Sequence, residues 1–573
     1  MRRRDSACSE LLRSIDHPDT EIVDDLEKGF KLTGWLRSSN LFPKSFSPPQ
    51  ISTSTLESLG PNLNVAAVNR CERNSSLENA KTLLDITIDE LDRGWIVEEV
   101  DVIDLEEGTI LSPRFIIQQG EKSRAIDDFT FSSINSTIGT SEKIVLQGVD
   151  EIASLIKHLF TAGIDDLEGR TFDMEAAYRQ LAILPSERSK AVICVYDPEL
   201  DKVRGFTMAT MTFGAISSVY SCLRTAAAIN NVGCSLLGLP MSSYFDDFTV
   251  VTRSELSKSA NLAVTTLFDV LGLNLSTSER KNVDFAKVFN ALGVSFDLHK
   301  EVGDFFRIRN TDQRICELIG RIDEILVANK INGKEAKSLR SRLSFASAQI
   351  YGRTTASVLK DLGKYEGSKH RVKLNGNTKL LLRIMRGHLE SGMARQVFFG
   401  KVDVVHIFTD GSLEGDADSG LVAGLGAVLV DQHGKCIKAF SYEPSQDDVQ
   451  IVGGKIHQLE ILPVIMSCVA FADDISSKFI YIHVDNVAAQ SALINAGSVN
   501  HSSRSLVYLF LDFEQRLKFV PWISRVASAS NIADGPSRSS MDEVESLGAE
   551  CFTFPKEVFR FIIQEFIKKL DSI

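Results

Sequence analysis

Apolar positions along this chain follow two periods, and the switches between them mark its elements. Over 82–94 the apolar residues recur at helical spacing, and the stretch to 104 then turns strand-like. Residues 112–128 predict strand, polar turn, strand, with Lys122 and Arg124 on the turn and second strand. Residues 147–169 predict a helix and loop. From 170 to 181 the pattern runs from strand into helix, with Asp173 where the strand ends and Tyr178 about one helical turn beyond. Strands follow at 191–196 and 206–208, and Gly214 with the small residues after it opens a long helix to about Asn230. Residues 241–251 predict a tight β-hairpin with Asp246 and Asp247 at its tip. A helix over about 254–271 and a strand pair around 289–296 complete this half.

The order strand, helix, strand, strand, helix, strand suits a ferredoxin-like α+β sheet. On such a sheet the end of the first strand and the central hairpin are neighbours. Asp173 and Asp246 would then share two divalent cations about 3.5–4 Å apart, the arrangement that drives in-line phosphoryl transfer. Each feature also has a plainer reading. An isolated Asp-Asp is most often a solvated turn, and Asp173 alone suits a helix N-cap. Lys122 and Arg124 alone are surface charges on a hairpin, and Gly214 alone serves tight helix packing.

Farther on, Ile315, Leu318, Ile319, Ile322, Ile325 and Leu326 predict a helix. A second helix is expected to carry Lys337, Arg340, Arg342, Arg353 and Lys360, a stripe that either tracks a nucleic-acid backbone or is a solvated face. Residues 363–400 read as a mixed linker. Residues 1–80, polar and broken by Pro43, Pro48 and Pro49, read as a loosely organised lead-in with short helices. From 402 an apolar strand ends at Asp410, and 424–430 is a second strand. A long helix after His457 carries Glu460, a third strand ends at Asp485, and a short helix begins near Asp534. Four acids at strand ends and helix starts suit a second two-metal site. An amphipathic helix over about 555–570 reads as a packing cap.

Composition narrows the class. With 43% hydrophobic and 24% charged residues the chain reads as an ordinary globular protein, and no apolar run approaches the ~20 residues of a membrane span. Nine scattered cysteines without a CxxC pair argue for reduced thiols inside a cell, cytoplasm or nucleus left open, and against a zinc knuckle. The net charge of −13 argues by itself against a nucleic-acid binder. Metal-dependent polymerases and nucleases nevertheless gather acids at their centres, so charge decides little.

Taken in order, these stretches resemble a retrotransposon reverse transcriptase joined to ribonuclease H, of the gypsy or DIRS type. Tyr244-Phe245-Asp246-Asp247 is similar to the family's Tyr-x-Asp-Asp box. Phe172-Asp173 through Leu181 looks like the first palm motif, and Phe213-Gly214-Ala215 the Phe-Gly box, with Thr212 where a Pro is usual. Residues 112–128 look like the fingers and 289–293 like the primer-grip turn. Thr409-Asp410-Gly411-Ser412 and 531–538 are similar to ribonuclease H, with Ser524 and Arg525 in the stretch where many members carry a His.

The resemblance implies an α+β and α/β multidomain fold, a right-hand polymerase followed by an RNase H-like domain. The expected boundaries are a lead-in at 1–80, fingers and ferredoxin-like palm at 81–300, and helical thumb, connection and linker at 301–400. An RNase H-like mixed α/β domain at 401–545 and a C-terminal helix at 546–573 would follow. It implies Mg²⁺, two per centre with Mn²⁺ as an alternative, held by Asp173 and Asp246 with Asp247 in support, and by Asp410, Glu460, Asp485 and Asp534. Arg124 and Lys122 would meet the triphosphate, Tyr178 would exclude the 2′-hydroxyl, Phe213 and Gly214 would line the nucleotide pocket, and Lys281 would lie near the phosphates. The implied partners are RNA template, DNA primer, RNA–DNA hybrid and dNTPs, with other retroelement proteins as a further class and no membrane. The chain would be a processed product or part of a longer reading frame. Two rivals stand beside this: a decayed or host-retained nucleic-acid-binding scaffold, and a nuclease in which only the second acidic centre works.

Overall fold

The computed structural model describes residues 9–74, 76–119, 122–278, 281–301, 304–391, 394–414 and 422–572, and the side chain of Lys122 lies outside the described residues. The chain is a mixed α and β protein that divides into two units, Met1–Leu292 and Gly293–Ile573.

In the first unit, helices α1 (Thr53–Asn74) and α2 (Leu77–Asp92) precede strands β1 (Ile96–Val100), β2 (Leu111–Gln119) and β3 (Lys122–Asp127). Helix α3 (Val149–Thr161) leads to β4 (Leu167–Asp173), and β5 (Val192–Asp197) and β6 (Lys202–Met208) follow. Then come α4 (Ile216–Ser235), the hairpin β7 (Met241–Tyr244) and β8 (Asp247–Arg253), α5 (Ser257–Leu271) and β9 (Val288–Ala291). A five-stranded sheet has the order β1-β6-β5-β2-β3 and a three-stranded sheet the order β4-β8-β7. The chain just before β9 bridges the free side of β4 through paired hydrogen bonds between Gly169 and Ala286. Strand β8 is central, so its residues are buried on both faces: Phe248, Val250 and Val251 are inaccessible, and Phe248 meets Phe268 of α5 edge to face at 5.2 Å.

The N-terminal stretch departs from the expected loose lead-in. Leu12, Ile22, Phe30, Leu32 and Leu56 join the buried core of this unit, and α1 runs 22 residues with Pro61 inside it. The reason is electrostatic as well as apolar. Arg224 of α4 is buried and held by Asp19 at 2.7 Å and Asp25 at 2.6 Å. Partners two hundred positions apart leave no local pattern to read. Replacing Arg224 with Ala strands two buried carboxylates, and unfolding in urea is expected to show a loss of about 3 kcal/mol. A loss below about 1 kcal/mol in that measurement contradicts this account.

The second unit begins with β10 (Val294–Glu301), β11 (Phe305–Asn310), α6 (Asp312–Ala328), α7 (Gly333–Ser347), α8 (Thr354–Gly363), α9 (Gly376–Glu390) and β12 (Arg395–Phe398). Two sequence expectations are corrected here. The supposed linker contains α9, started by Asn375, whose side chain accepts the Thr378 N–H, and anchored by buried Leu381, Leu382, Met385 and Leu389 at helical spacing. The five basic residues also do not share one helix. Lys337, Arg340 and Arg342 lie on α7 and Lys360 on α8, while Arg353 caps α8 and is bound to Glu514 at 2.8 Å. Arg340 is likewise occupied, by Glu366 at 2.8 Å. No continuous basic stripe results.

The rest of this unit is a six-stranded sheet. Its strands are β13 (Val404–Glu414), β14 (Val422–Asp431), β15 (Cys436–Tyr442), β16 (Phe479–Val484), β17 (Val520–Arg525) and β18 (Glu550–Thr553), in the order β17-β16-β13-β14-β15-β18. Strands β13, β14 and β15 are antiparallel neighbours; β16 runs parallel to β13 and β17 parallel to β16. Among the helices packed with it are α10 (Ile456–Leu459), α11 (Leu462–Ala470), α12 (His501–Leu517), α13 (Asp534–Ser537) and α14 (Lys556–Ser572). The C-terminal helix buries Phe559, Ile562 and Phe566 in the core shared with α11 and α12, as its amphipathic pattern predicts. Among the described residues no helix is long and apolar enough to cross a membrane.

Candidate carboxylate centres

The antiparallel register of β4, β8 and β7 builds the first centre. It sets Asp247 opposite both Asp173 and Tyr244, leaving Phe245 and Asp246 as the two turn residues. Phe245 adopts φ 53, as such a two-residue turn requires. The Asp246 carbonyl accepts the Met174 N–H at 2.8 Å, which ties the turn to the end of β4. Lys281 is ion-paired with Asp173. Burial and the neighbouring Asp246 and Asp173 push the Asp247 carboxyl up to about 7. Burial and Asp173 also raise Asp246, against the opposing pull of Lys281 and Arg124.

Tyr178 stands beside these acids, but on a 3₁₀ turn (Ala177–Gln180) rather than the expected α-helix. The turn follows Ala176, whose φ of 45 starts no regular helix. Burial, with Cys222 and Asp246 nearby, holds the Tyr178 phenol in its neutral form well above its usual range. Its ring meets Phe213 edge to face at 4.8 Å, and the Arg124 guanidinium lies 5.9 Å from the centre of the Phe213 ring. Arg124, Tyr178, Phe213 and the acids therefore line one region. Gly214 fits there because its φ is +115 and a Cβ would collide with the Asp127 carbonyl oxygen. Thr212, where Pro was expected, donates its backbone N–H to Ser218 Oγ at 3.1 Å, a bond that Pro lacks.

Beneath this region lies a network that sequence reasoning missed. Arg114 bonds Asp127 at 2.6 Å and Glu90 at 2.7 Å, and Glu90 also takes Arg179 at 2.6 Å, all buried. Asp127 accepts no bond from Gly214, but its N–H donates to the Phe213 carbonyl at 2.9 Å, so the network fixes the Phe-Gly turn. Gly214→Ala is expected to cost about 2 kcal/mol in urea denaturation, from both the clash and the strained φ. An unchanged midpoint refutes that cost.

The second centre gathers Asp410, Glu460 and Asp485, whose ligand oxygens all lie within 4.8 Å of one another. Asp410 sits within β13 and Asp485 just past β16, its parallel neighbour. Glu460 lies in the bend between α10 and α11, not on one long helix; Pro463 starts α11. Burial first, then Asp485 and Asp410, push the Glu460 carboxyl up to about 10, and its Oε2 is buried without a hydrogen-bond partner. Burial likewise raises Asp410, with Asp485 and Asp534 adding to it.

Residues 528–537 hold these acids. Ser537 Oγ donates to Asp410 at 2.5 Å, Asn531 Nδ2 to Asp410 at 3.3 Å, and Ser528 Oγ to Asp485 at 2.8 Å. Their supporting role was not read beforehand, although Asn531 and Ser537 belong to the string that carried the resemblance. Gly424 lets α13 rest on β14, since a Cβ there would strike the Ser537 carbonyl. Asp534 stands apart from the three clustered acids, half exposed and 3.3 Å from Arg538. Three clustered carboxylates with an unpartnered buried oxygen fit a hard divalent cation, which removes the mutual repulsion.

No family model matches the sequence, and no curated protein matches it. Among solved structures it is similar to the foamy viral protease-reverse transcriptase dRH in complex with double-stranded DNA. That similarity has a TM-score of 0.44 and 12% identity, over 91% of this chain and 81% of the other.

Proposed function

We propose that this chain is an RNA-directed DNA polymerase with ribonuclease H activity, a retroelement enzyme of the gypsy or DIRS type. The observation that carries the reading is the pairing of Asp173 with Asp247 on adjacent strands, with Asp246 turned at the hairpin between them. The three-stranded order β4-β8-β7, with the chain just before β9 bridged to the free side of β4, supports a ferredoxin-like palm in this reading. In this reading the palm and fingers span 81–300, the thumb and connection 301–400, and the RNase H-like domain 401–545.

Asp173 and Asp246 would hold Mg²⁺ or Mn²⁺ in the first centre, and Asp410, Glu460, Asp485 and Asp534 in the second. When bound, such ions supply Lewis-acid polarisation of phosphoryl oxygens and a nucleophile active near neutral pH. Arg124, with Lys122, attracts the triphosphate of a dNTP. Tyr178, rigid against Phe213, crowds the sugar 2′-position and disfavours ribonucleotides. Gly214 lets the backbone approach the nucleotide. Lys281 balances Asp173 until the phosphates arrive. In the second centre Ser537, Asn531 and Ser528 orient acids toward the RNA strand of a hybrid.

Extension of a DNA primer on an RNA template, with dNTPs and Mg²⁺ and the RNA labelled, tests both activities at once. Extension with shortening of the RNA is expected. Well-folded protein that does neither, across salt and with Mn²⁺, sinks the proposal in favour of a binding scaffold. A second reading, a nuclease alone, is favoured by one fact: among the described residues only the Asp410 group gathers its oxygens so tightly. Hybrid cleavage without synthesis would establish it.

A further inference from the structure

The outer face of the six-stranded sheet carries two histidines that the proposed reaction does not use. His406 of β13 and His483 of β16 stand on neighbouring parallel strands, offset by two residues in register. His406 Nδ1 and His483 Nε2 are 3.0 Å apart. The ring planes agree within 12° while the centroids are 5.4 Å apart. That separation exceeds the nitrogen–nitrogen distance by about the two ring radii, so the rings lie edge to edge and the nitrogens face each other.

Such facing nitrogens share one proton: one ring donates and the other offers a lone pair. Both rings are pinned. Phe408, directly across from His483, stacks on it at 4.3 Å and 14°, and Tyr481, directly across from His406, stacks at 5.1 Å and 16°. The two imidazoles are half buried, so solvent reaches them. Their strands are joined by main-chain hydrogen bonds, which fixes the spacing without any metal.

We propose that His406 and His483 form a transition-metal site for an imidazole-preferring divalent ion such as Ni²⁺, Zn²⁺ or Cu²⁺. Metal binding requires both rings to turn out of their hydrogen-bonded arrangement and loosen their stacks so that the facing nitrogens point to a common ion, and the shared proton moves to the outer nitrogen of its own ring. Both imidazoles stay neutral, so binding releases no proton, and water completes the coordination. Ligand chemistry separates this site from the acidic centre: imidazole selects late transition metals, whereas carboxylates select Mg²⁺ or Mn²⁺. The two lie on the same strands, since β13 continues to Asp410 and β16 ends beside Asp485. The site does not depend on the polymerase reading.

The test is calorimetric titration of the full chain with Ni²⁺, in a Cys234→Ser/Cys316→Ser background that removes two exposed thiols. The histidine component of Ni²⁺ binding is expected to weaken at least tenfold with either His406→Gln or His483→Gln and to persist in Glu460→Gln, which removes a ligand of the separate carboxylate centre. Circular dichroism identifies variants that fail to fold, and His406→Asn serves as the replacement in that case. Binding equal in the histidine variants and the parent overturns the proposal, as does binding lost only in Glu460→Gln. Loss of primer extension or hybrid cleavage bears on the proposed function alone and leaves this titration unaffected.

Discussion

Asp246→Asn is expected to reduce primer extension at least a thousandfold while leaving the fold intact. Asn matches Asp in shape, and the hairpin needs only the backbone of residue 246, whose carbonyl receives the Met174 N–H. What disappears is charge. A bound metal contributes several kcal/mol to phosphoryl transfer, and each 1.36 kcal/mol is tenfold in rate, so losing a ligand removes roughly three decades or more. Stability should move the other way. Burial and the charge on Asp173 raise the Asp246 carboxyl above its ordinary range. A carboxyl raised on folding destabilises progressively as pH climbs from its unfolded value through its folded one. The Asn variant, freed of that term, should melt no lower than the parent at pH 8 without metal. Single-turnover extension together with a melting curve decides it. Activity within tenfold of the parent removes Asp246 from the reaction, and a melting point well below the parent's makes any loss one of folding.

The hairpin at the centre of that prediction was readable because its signals are local. The apolar flanks of Asp246-Asp247 predict two strands, and Tyr244 and Asp247 do pair across a two-residue turn. The amphipathic helix at the C-terminus was readable as periodicity, and the helix at 216–235 from the small residues that open it, though its end was read short, at about Asn230. Elements fixed by distant partners were not. Residues 9–50 look like a polar lead-in until Arg224 supplies the countercharge for Asp19 and Asp25. The basic residues at 337–360 look like a stripe until Glu366 and Glu514 claim two of them. The bend at Glu460 was lost because Ile461 through Met466 is an unbroken apolar run, and Pro463 reads equally as a helix start or an interior break. Proximity of Asp173 to the hairpin acids followed from a strand end, whereas Asp410 lies inside β13 instead of ending it and Asp534 stands apart from the other three acids. The serines that orient the acids were not readable, because a hydroxyl donor has no sequence period.

Glu460→Gln tests the second centre, and its largest effect is the loss of hybrid cleavage by at least a thousandfold, again the weight of a metal ligand. Its stability effect is the more particular. Burial and the two neighbouring aspartates push this carboxyl up to about 10, far above the ~4.3 of an unfolded chain. Between those values the folded state binds a proton that the unfolded state does not, so stability falls as pH rises across that window. Gln carries no such cost. Without metal, the variant should melt a few degrees above the parent at pH 8 and match it near pH 4, a gap that widens with pH. Mg²⁺ reverses the order. The ion binds only the folded parent's complete carboxylate set, and stabilisation by mass action then favours the parent. A variant whose advantage over the parent is the same at pH 5 and pH 9, with or without Mg²⁺, shows that Glu460 is an ordinary buried acid and that the three carboxylates hold no ion.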